Sequence, residues 1–212
     1  MPQEALITRL SRAFPRVCPA VWWREPGVNP VSENGTSSEL IVNGVEETHH
    51  FARSLGAILR AGDLLVLTGE LGAGKTTFTQ GLGLGIGVRE GIISPTFVIS
   101  RIHPTLREGP DLVHVDAYRL ASAAEIDDLD LESSLSTSVT VVEWGADKVE
   151  QLSDSRLEIV LQRPGSAEIG EELVFDFSEG DEDEQRTISI RAVGPRWDND
   201  PQLAALLTHF RS

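Results

Sequence analysis

The sequence predicts an α/β fold, a three-layer αβα sandwich around a mostly parallel central sheet, with some antiparallel strands late in the chain. Three observations predict it. Apolar runs of strand length at 63–68, 112–116 and 139–143 alternate with segments of helical period. A glycine-rich turn joins the first of these runs directly to a helix. Three later runs, at 157–161, 173–177 and 187–193, follow one another without a helix between them. With 212 residues, the chain holds one sizeable domain plus appendages.

Residues 1–38 read as a flexible N-terminal extension. They carry Pro2, Pro15, Pro19, Pro26 and Pro30, a short amphipathic start (Leu6, Ile7, Leu10), the dipeptide Trp22-Trp23 and a polar run at 32–38. The domain is expected to span 39–212. Phe51, Leu55, Ile58 and Leu59 recur at helical spacing over 46–60, with Thr48 as the cap and Gly62 as the stop. The run 63–68 suits a buried parallel strand. A helix follows from Lys75 to about Leu84. Short strands at 92–93 and 97–103 flank the turn Ser94-Pro95-Thr96. Strand 112–116 ends in Asp116, a short acidic helix covers 123–131, and strand 139–143 ends in Glu143. A helical turn or two is expected at 146–152. Asp200 as an N-cap, with Pro201 at the first helical position, opens a last helix through Phe210.

Composition excludes several classes. The one cysteine, Cys18, permits no internal disulfide and fits a reducing, cytoplasmic setting. No apolar run approaches the ~18 residues a membrane span needs, and the N-terminal segment has no signal-type apolar block. The net charge of −15 argues against a broad nucleic-acid footprint. Much of that charge sits in an acidic insertion around 167–184, which has nine acids and no Lys or Arg; it reads as a solvated hairpin loop. Only two lysines occur, Lys75 and Lys148, against sixteen arginines. Lys148 reads as a compositional accident.

Gly69-Glu70-Leu71-Gly72-Ala73-Gly74-Lys75-Thr76 matches the phosphate-loop pattern G-x-x-x-x-G-K-[ST]. It follows a strand and opens a helix, as the mechanism requires. The glycines let backbone N–H groups turn toward a polyphosphate, and the helix N-terminus adds favourable partial charge. Lys75 is expected against the β- and γ-phosphates and the Thr76 hydroxyl on Mg²⁺. A lysine is used here, in an arginine-rich chain, because the loop needs a compact point charge. Asp116 and Glu143 close strands whose C-terminal ends meet the same sheet edge. One of them is expected to hold the metal and the other to orient water. Ser94 and Thr96 follow the phosphate-loop helix, where a γ-phosphate sensor is commonly placed. Arg119 is placed to meet phosphate, a partner or Glu125. There is no Asn-Lys-x-Asp guanine-reading motif, no Leu-Ser-Gly-Gly signature and no arginine-rich lid. These absences disfavour GTPases, ABC-type ATPases and nucleotide or small-molecule kinases.

Four ordered blocks resemble the TsaE family of bacterial ATPases. They are the run from Gly62-Asp63 through Thr68 and the loop to Thr77-Phe78, then Ser94-Pro95-Thr96-Phe97, then His114-Val115-Asp116-Ala117-Tyr118-Arg119-Leu120, then Val142-Glu143-Trp144. The likeness covers roughly 45–163. It implies a P-loop NTPase-like fold that binds ATP and Mg²⁺ and hydrolyses ATP slowly. It also implies association with the TsaB–TsaD complex, whose repeated turnover such proteins support during threonylcarbamoyl modification of the adenosine beside the anticodon of ANN-decoding tRNAs. The resemblance makes Thr76 and Glu143 metal ligands, Asp116 a Walker-B-like acid, and Lys75, Asp116 and Glu143 the catalytic set. ATP-binding positions are then 69–77, and Thr48 with its neighbours from Val45 lies toward the adenine. Trp144 would sit beside the site. The chain departs from the family in its N-terminal 38 residues, its acidic insertion and Glu70 where Asp is usual. Contact with tRNA is expected to be indirect, or through a local patch drawn from Arg53, Arg60, Arg89, Arg101 and Arg107. Two other readings stay open: a small-molecule kinase on the same fold, and a nucleotide-gated binding module that does not require hydrolysis.

Overall fold

A computed structural model describes residues 37–164 and 184–211. Along the chain run β1 (Ser37–Asn43), α1 (Gly44–Gly56), β2 (Leu64–Thr68), α2 (Lys75–Ile86), β3 (Ser100–His103), β4 (Asp111–Asp116), α3 (Ala123–Asp127), α4 (Leu131–Leu135), β5 (Ser138–Glu143), β6 (Arg156–Gln162), β7 (Gln185–Val193) and α5 (Pro201–Phe210). The strands form one sheet in the order β1-β7-β6-β2-β5-β4-β3. Its centre, β6-β2-β5-β4, is parallel. Antiparallel strands flank it, with β7 and β1 on one side and β3 on the other.

Strand alternation divides the core in two. Leu65 and Leu67 of β2 join Phe51, Leu55, Phe78, Leu82, Leu203 and Leu207, so α1, α2 and α5 cover one face. Leu64 and Val66 point the other way, into a cluster with Ile126, Leu131 and Val149. The helix–sheet–helix layering expected from sequence is therefore present, as are the mostly parallel centre and antiparallel late strands. Among the described residues no helix is long and apolar enough to cross a membrane.

Several sequence expectations need correction. Ser37 and Ser38 belong to β1, not to a linker, because this edge strand pairs Ser37 with Arg191 and buries Leu40 and Val42. The helix expected at 46 starts at Gly44. Glu47 accepts the backbone N–H of Asn43 at 2.7 Å and its side-chain amide at 3.1 Å, which fixes the earlier start. Thr48 is thus no cap: it is buried inside the helix and donates its hydroxyl to the Gly44 carbonyl at 2.8 Å. The helix ends at Gly56, and Gly62 serves the turn into β2 with φ +92°. Residues 92–93 form no strand, and 97–103 contributes only Ser100–His103. The acidic helix is two short helices, with Asp130 in the left-handed region between them (φ 49°). Residues 146–152 supply only a 3-10 turn, Glu150–Leu152. The strand expected at 173–177, most of the acidic insertion and most of the N-terminal extension lie outside the described residues.

Helices α1 and α2 approach closely because glycines line the contact. A Cβ built on Gly81 would lie 2.7 Å from the Ala52 Cβ, and one on Gly85 would collide with the Arg53 carbonyl oxygen. Helix propensity alone favours Ala over Gly by about 1 kcal/mol. Overpacking costs about 1–3 kcal/mol, and backbone cannot step aside as a flexible side chain does. Gly85→Ala should therefore destabilise the fold, seen as a lower urea midpoint at unchanged m-value; a raised midpoint would contradict the packing.

Candidate functional site

The glycine-rich loop leaves the C-terminal end of β2 and opens α2. Gly72 and Gly74 have φ of +81° and +96°, a region other residues enter only at a cost, and Gly74 is the helix N-cap. Leu71 and Glu70 are exposed, whereas Ala73 is buried and donates its N–H to the Glu70 carbonyl at 3.2 Å. Lys75 is buried. Its Nζ donates to the Gly69 and Glu70 carbonyls at 2.8 Å each and lies 3.9 Å from the centre of the Trp144 ring. Burial pulls the Lys75 ammonium below its ordinary pKa, while Glu143, Asp116 and Glu70 push the other way. Thr77 lies one residue beyond Thr76 in α2, half-buried.

The register of the sheet brings the two acids together. Asp116 pairs with Glu143 across β4 and β5, and Glu143 pairs with Leu67 of β2, one residue from the strand's end. Thr76 donates its hydroxyl to Glu143 Oε1 at 3.1 Å. Asp116 Oδ2 accepts from Ser94 at 2.9 Å and, in a short bond, from Thr96; the two hydroxyls are 2.6 Å apart. Its Oδ1 accepts the Tyr118 N–H at 3.1 Å. Asp116 is thus the latch that fixes the 94–99 turn, which closes further through Ile99 N–H to the Pro95 carbonyl at 2.6 Å. Glu143 is the acid that meets the phosphate-loop helix.

Trp144 follows Glu143 in the left-handed region (φ 61°), unusual for a bulky side chain. Its N–H bonds the Leu67 carbonyl at 2.9 Å, and its ring rests against Tyr118 at 5.3 Å as well as over Lys75. The backbone strain is held by those contacts and places an aromatic wall beside the loop. Arg119 stacks over the Phe97 ring at 5.1 Å, while Glu125 accepts the N–H of Ala121.

Lys75, Thr76, Asp116, Glu143, Ser94, Thr96 and Trp144 therefore converge at one sheet edge. Thr48 does not join them through its side chain, since its hydroxyl is used within α1. Sequence reasoning misses two members. Lys148, far from an accident of composition, donates to the carbonyls of Ala117 at 3.0 Å and Trp144 at 3.1 Å, tying the turns after β4 and β5 together. The scarcity of lysine is its only signal. His114 enters the sequence reading only as part of a motif, yet its Nε2 lies 2.8 Å from Glu143 Oε1. The arginines considered for a tRNA patch are spread over α1 (Arg53), its exit turn (Arg60), the segment after α2 (Arg89), edge strand β3 (Arg101) and the β3–β4 connection (Arg107).

Known proteins resemble this chain in sequence and fold. The family model "Threonylcarbamoyl adenosine biosynthesis protein TsaE" matches residues 42–169. The protein named tRNA threonylcarbamoyladenosine biosynthesis protein TsaE from Streptomyces coelicolor is 53% identical over 146 residues, covering 68% of this chain and 90% of that one. The Bacillus subtilis protein of the same name is 37% identical over 158 residues, covering 72% and 84%. A crystal structure of YdiB from Bacillus subtilis superposes with a TM-score of 0.60 at 32% identity, covering 84% of this chain and 99% of that one. With a family model matched over more than half of its length, the chain belongs to the TsaE family of threonylcarbamoyl adenosine biosynthesis proteins.

Proposed function

We propose that this protein is a Mg²⁺-dependent, slow ATPase of the cytoplasm that supports turnover of the TsaB–TsaD complex in forming N6-threonylcarbamoyladenosine on tRNA. The role in that modification follows from family membership. The observation that carries the nucleotide chemistry is the Thr76–Glu143 contact of 3.1 Å at the mouth of the phosphate loop. It joins the hydroxyl expected on the metal to a carboxylate from the neighbouring parallel strand.

The donor set fits magnesium. Thr76, Glu143 and Asp116 offer hard oxygen atoms, and among the described residues no group of three or more His, Cys, Asp or Glu could hold an ion alone. Magnesium characteristically takes one or two carboxylates plus substrate phosphates and keeps several waters. When bound, it would neutralise charge on the phosphate oxygens. The chain supplies the rest. Loop N–H groups from Gly72 to Thr77 receive the phosphates. The Lys75 ammonium, compact enough to sit between two carbonyls, turns to phosphate oxygen. Ser94 and Thr96, latched to Asp116, carry the occupancy of the γ-phosphate position to a turn whose outer side exposes Phe97 (87% exposed). That turn gives a nucleotide-dependent surface to a partner, so binding and hydrolysis together can time an association.

The test is nucleoside mass spectrometry of tRNA from cells depleted of this protein, rescued with wild type or Thr76→Ala. Threonylcarbamoyladenosine should fall on depletion and return only with wild type. Unchanged modification on depletion would sink the reading. A phosphorylated metabolite among the products, in place of free phosphate, would turn it toward a kinase.

A further inference from the structure

We propose that His114 is a positioning residue for Glu143, fixing one carboxylate oxygen so that the other is presented to the bound cation. This rests on the nucleotide–magnesium reading of the site. His114 stands two residues before Asp116 on β4, on the same side of the sheet, and opposite Val141 on β5. Its Nε2 is 2.8 Å from Glu143 Oε1, with His114 0% and Glu143 3% exposed. Thr76 also reaches Oε1, at 3.1 Å, and is farther from Oε2, at 3.4 Å. Oε1 is therefore occupied by two donors, and Oε2 is the oxygen left to meet a cation.

Donor arithmetic specifies the ring's state. A carboxylate only accepts, so the proton of the contact sits on Nε2. Nδ1 is buried without a partner among the described residues, which suits a bare lone pair and not a second N–H. The ring thus spends its single N–H on Glu143. From β3, the His103 ring lies 6.1 Å from the His114 ring, and Arg101 is the register partner of His114. The other central residues of β4 are Leu112, Val113 and Val115, all buried. The imidazole adds one thing an aliphatic residue lacks, a donor aimed at Glu143. Partners of this kind, one shell out from a metal, typically change metal affinity by about 10- to 100-fold when removed.

The experiment measures Mn²⁺ binding by electron paramagnetic resonance, with a non-hydrolysable ATP analogue, on wild type, His114→Leu, His114→Gln and His114→Asn. The Leu variant should weaken Mn²⁺ by about 10- to 100-fold, with metal-free nucleotide affinity within about twofold. Gln, whose amide reaches as far as Nε2, should recover most of the loss; Asn, one methylene shorter, should not. Leu binding Mn²⁺ as wild type does, or folded Gln and Asn variants binding alike, would overturn the inference. If Leu fails to fold, the Gln–Asn contrast still decides. Wild type binding no Mn²⁺ with the analogue would instead count against the proposed function. The nitrogen-15 spectrum of the His114 ring without metal tests the donor assignment independently: the Nε2–H tautomer is required, and an Nδ1–H tautomer overturns it.

Discussion

Replacing Lys75 with Ala should weaken ATP binding by about 10- to 150-fold, the equivalent of the 1.5–3 kcal/mol carried by a hydrogen bond to a charged group. The ammonium donates to two loop carbonyls at 2.8 Å and faces the Trp144 ring at 3.9 Å. Those contacts hold a compact ammonium between two carbonyls and a ring face. A guanidinium is planar and wider, and its fork cannot serve two adjacent carbonyls and a ring face from so tight a position. Lys75→Arg should therefore resemble Lys75→Ala in affinity, although it keeps the charge. Calorimetric titration of both variants with ATP checks this. Wild-type affinity in Lys75→Ala would remove the phosphates from this loop. A pH series adds a second check. Because burial depresses the Lys75 pKa, the charge proposed to attract phosphate is lost at a lower pH than for a free lysine, whose pKa is about 10.4. Affinity should fade on the alkaline side below that value, and should be flat there in Lys75→Ala.

The parts of this molecule legible in its sequence are those specified by neighbours along the chain. The β2–loop–α2 unit is one: an apolar run, glycines that must take positive φ, and a lysine–threonine pair at a helix start all lie within 64–76. Asp200 is another, since its carboxylate accepts the N–H groups of Gln202 and Leu203, two and three residues on. The features that sequence reasoning misses are specified across the sheet. β1 does alternate, with Leu40 and Val42 turned inward, but its first residues belong to a polar run, and only β7, about 140 residues later, makes a strand of them. His114 looks like core in a strand of Leu and Val. Its role emerges when β4 and β5 lie parallel in a register that sets Asp116 beside Glu143. Lys148 bonds the ends of two strands that are far apart in sequence. The two acids are legible as strand ends; which of them latches the turn and which meets Thr76 depends on hydroxyl geometry that no spacing encodes.

That division of labour makes Glu143→Gln the most informative single change. The amide has nearly the same shape, so its oxygen can still accept from Thr76 or His114, but the negative charge is gone and one acceptor becomes a donor. A neutral amide is also a poorer ligand for a hard cation than a carboxylate. ATP hydrolysis should fall by about 10²–10³-fold, the range found when one preorganised polar group is removed from a reacting centre. Nucleotide affinity, which we assign to the loop and Lys75, should hold within a few-fold. Asp116→Asn provides the contrast. Asp116 has three donors to satisfy, from Ser94, Thr96 and Tyr118, and an amide cannot accept from all three with both its ends. Its loss should loosen the 94–99 turn, so that proteolysis within that turn no longer depends on whether ATP or ADP is bound. Glu143→Gln should keep that dependence while hydrolysis stalls. Single-turnover hydrolysis and limited proteolysis, run on both variants, separate the two acids. Equal loss of hydrolysis and equal loss of nucleotide-dependent protection would mean that the two carboxylates act as one unit, and that the distinction between latch and metal-facing acid is wrong.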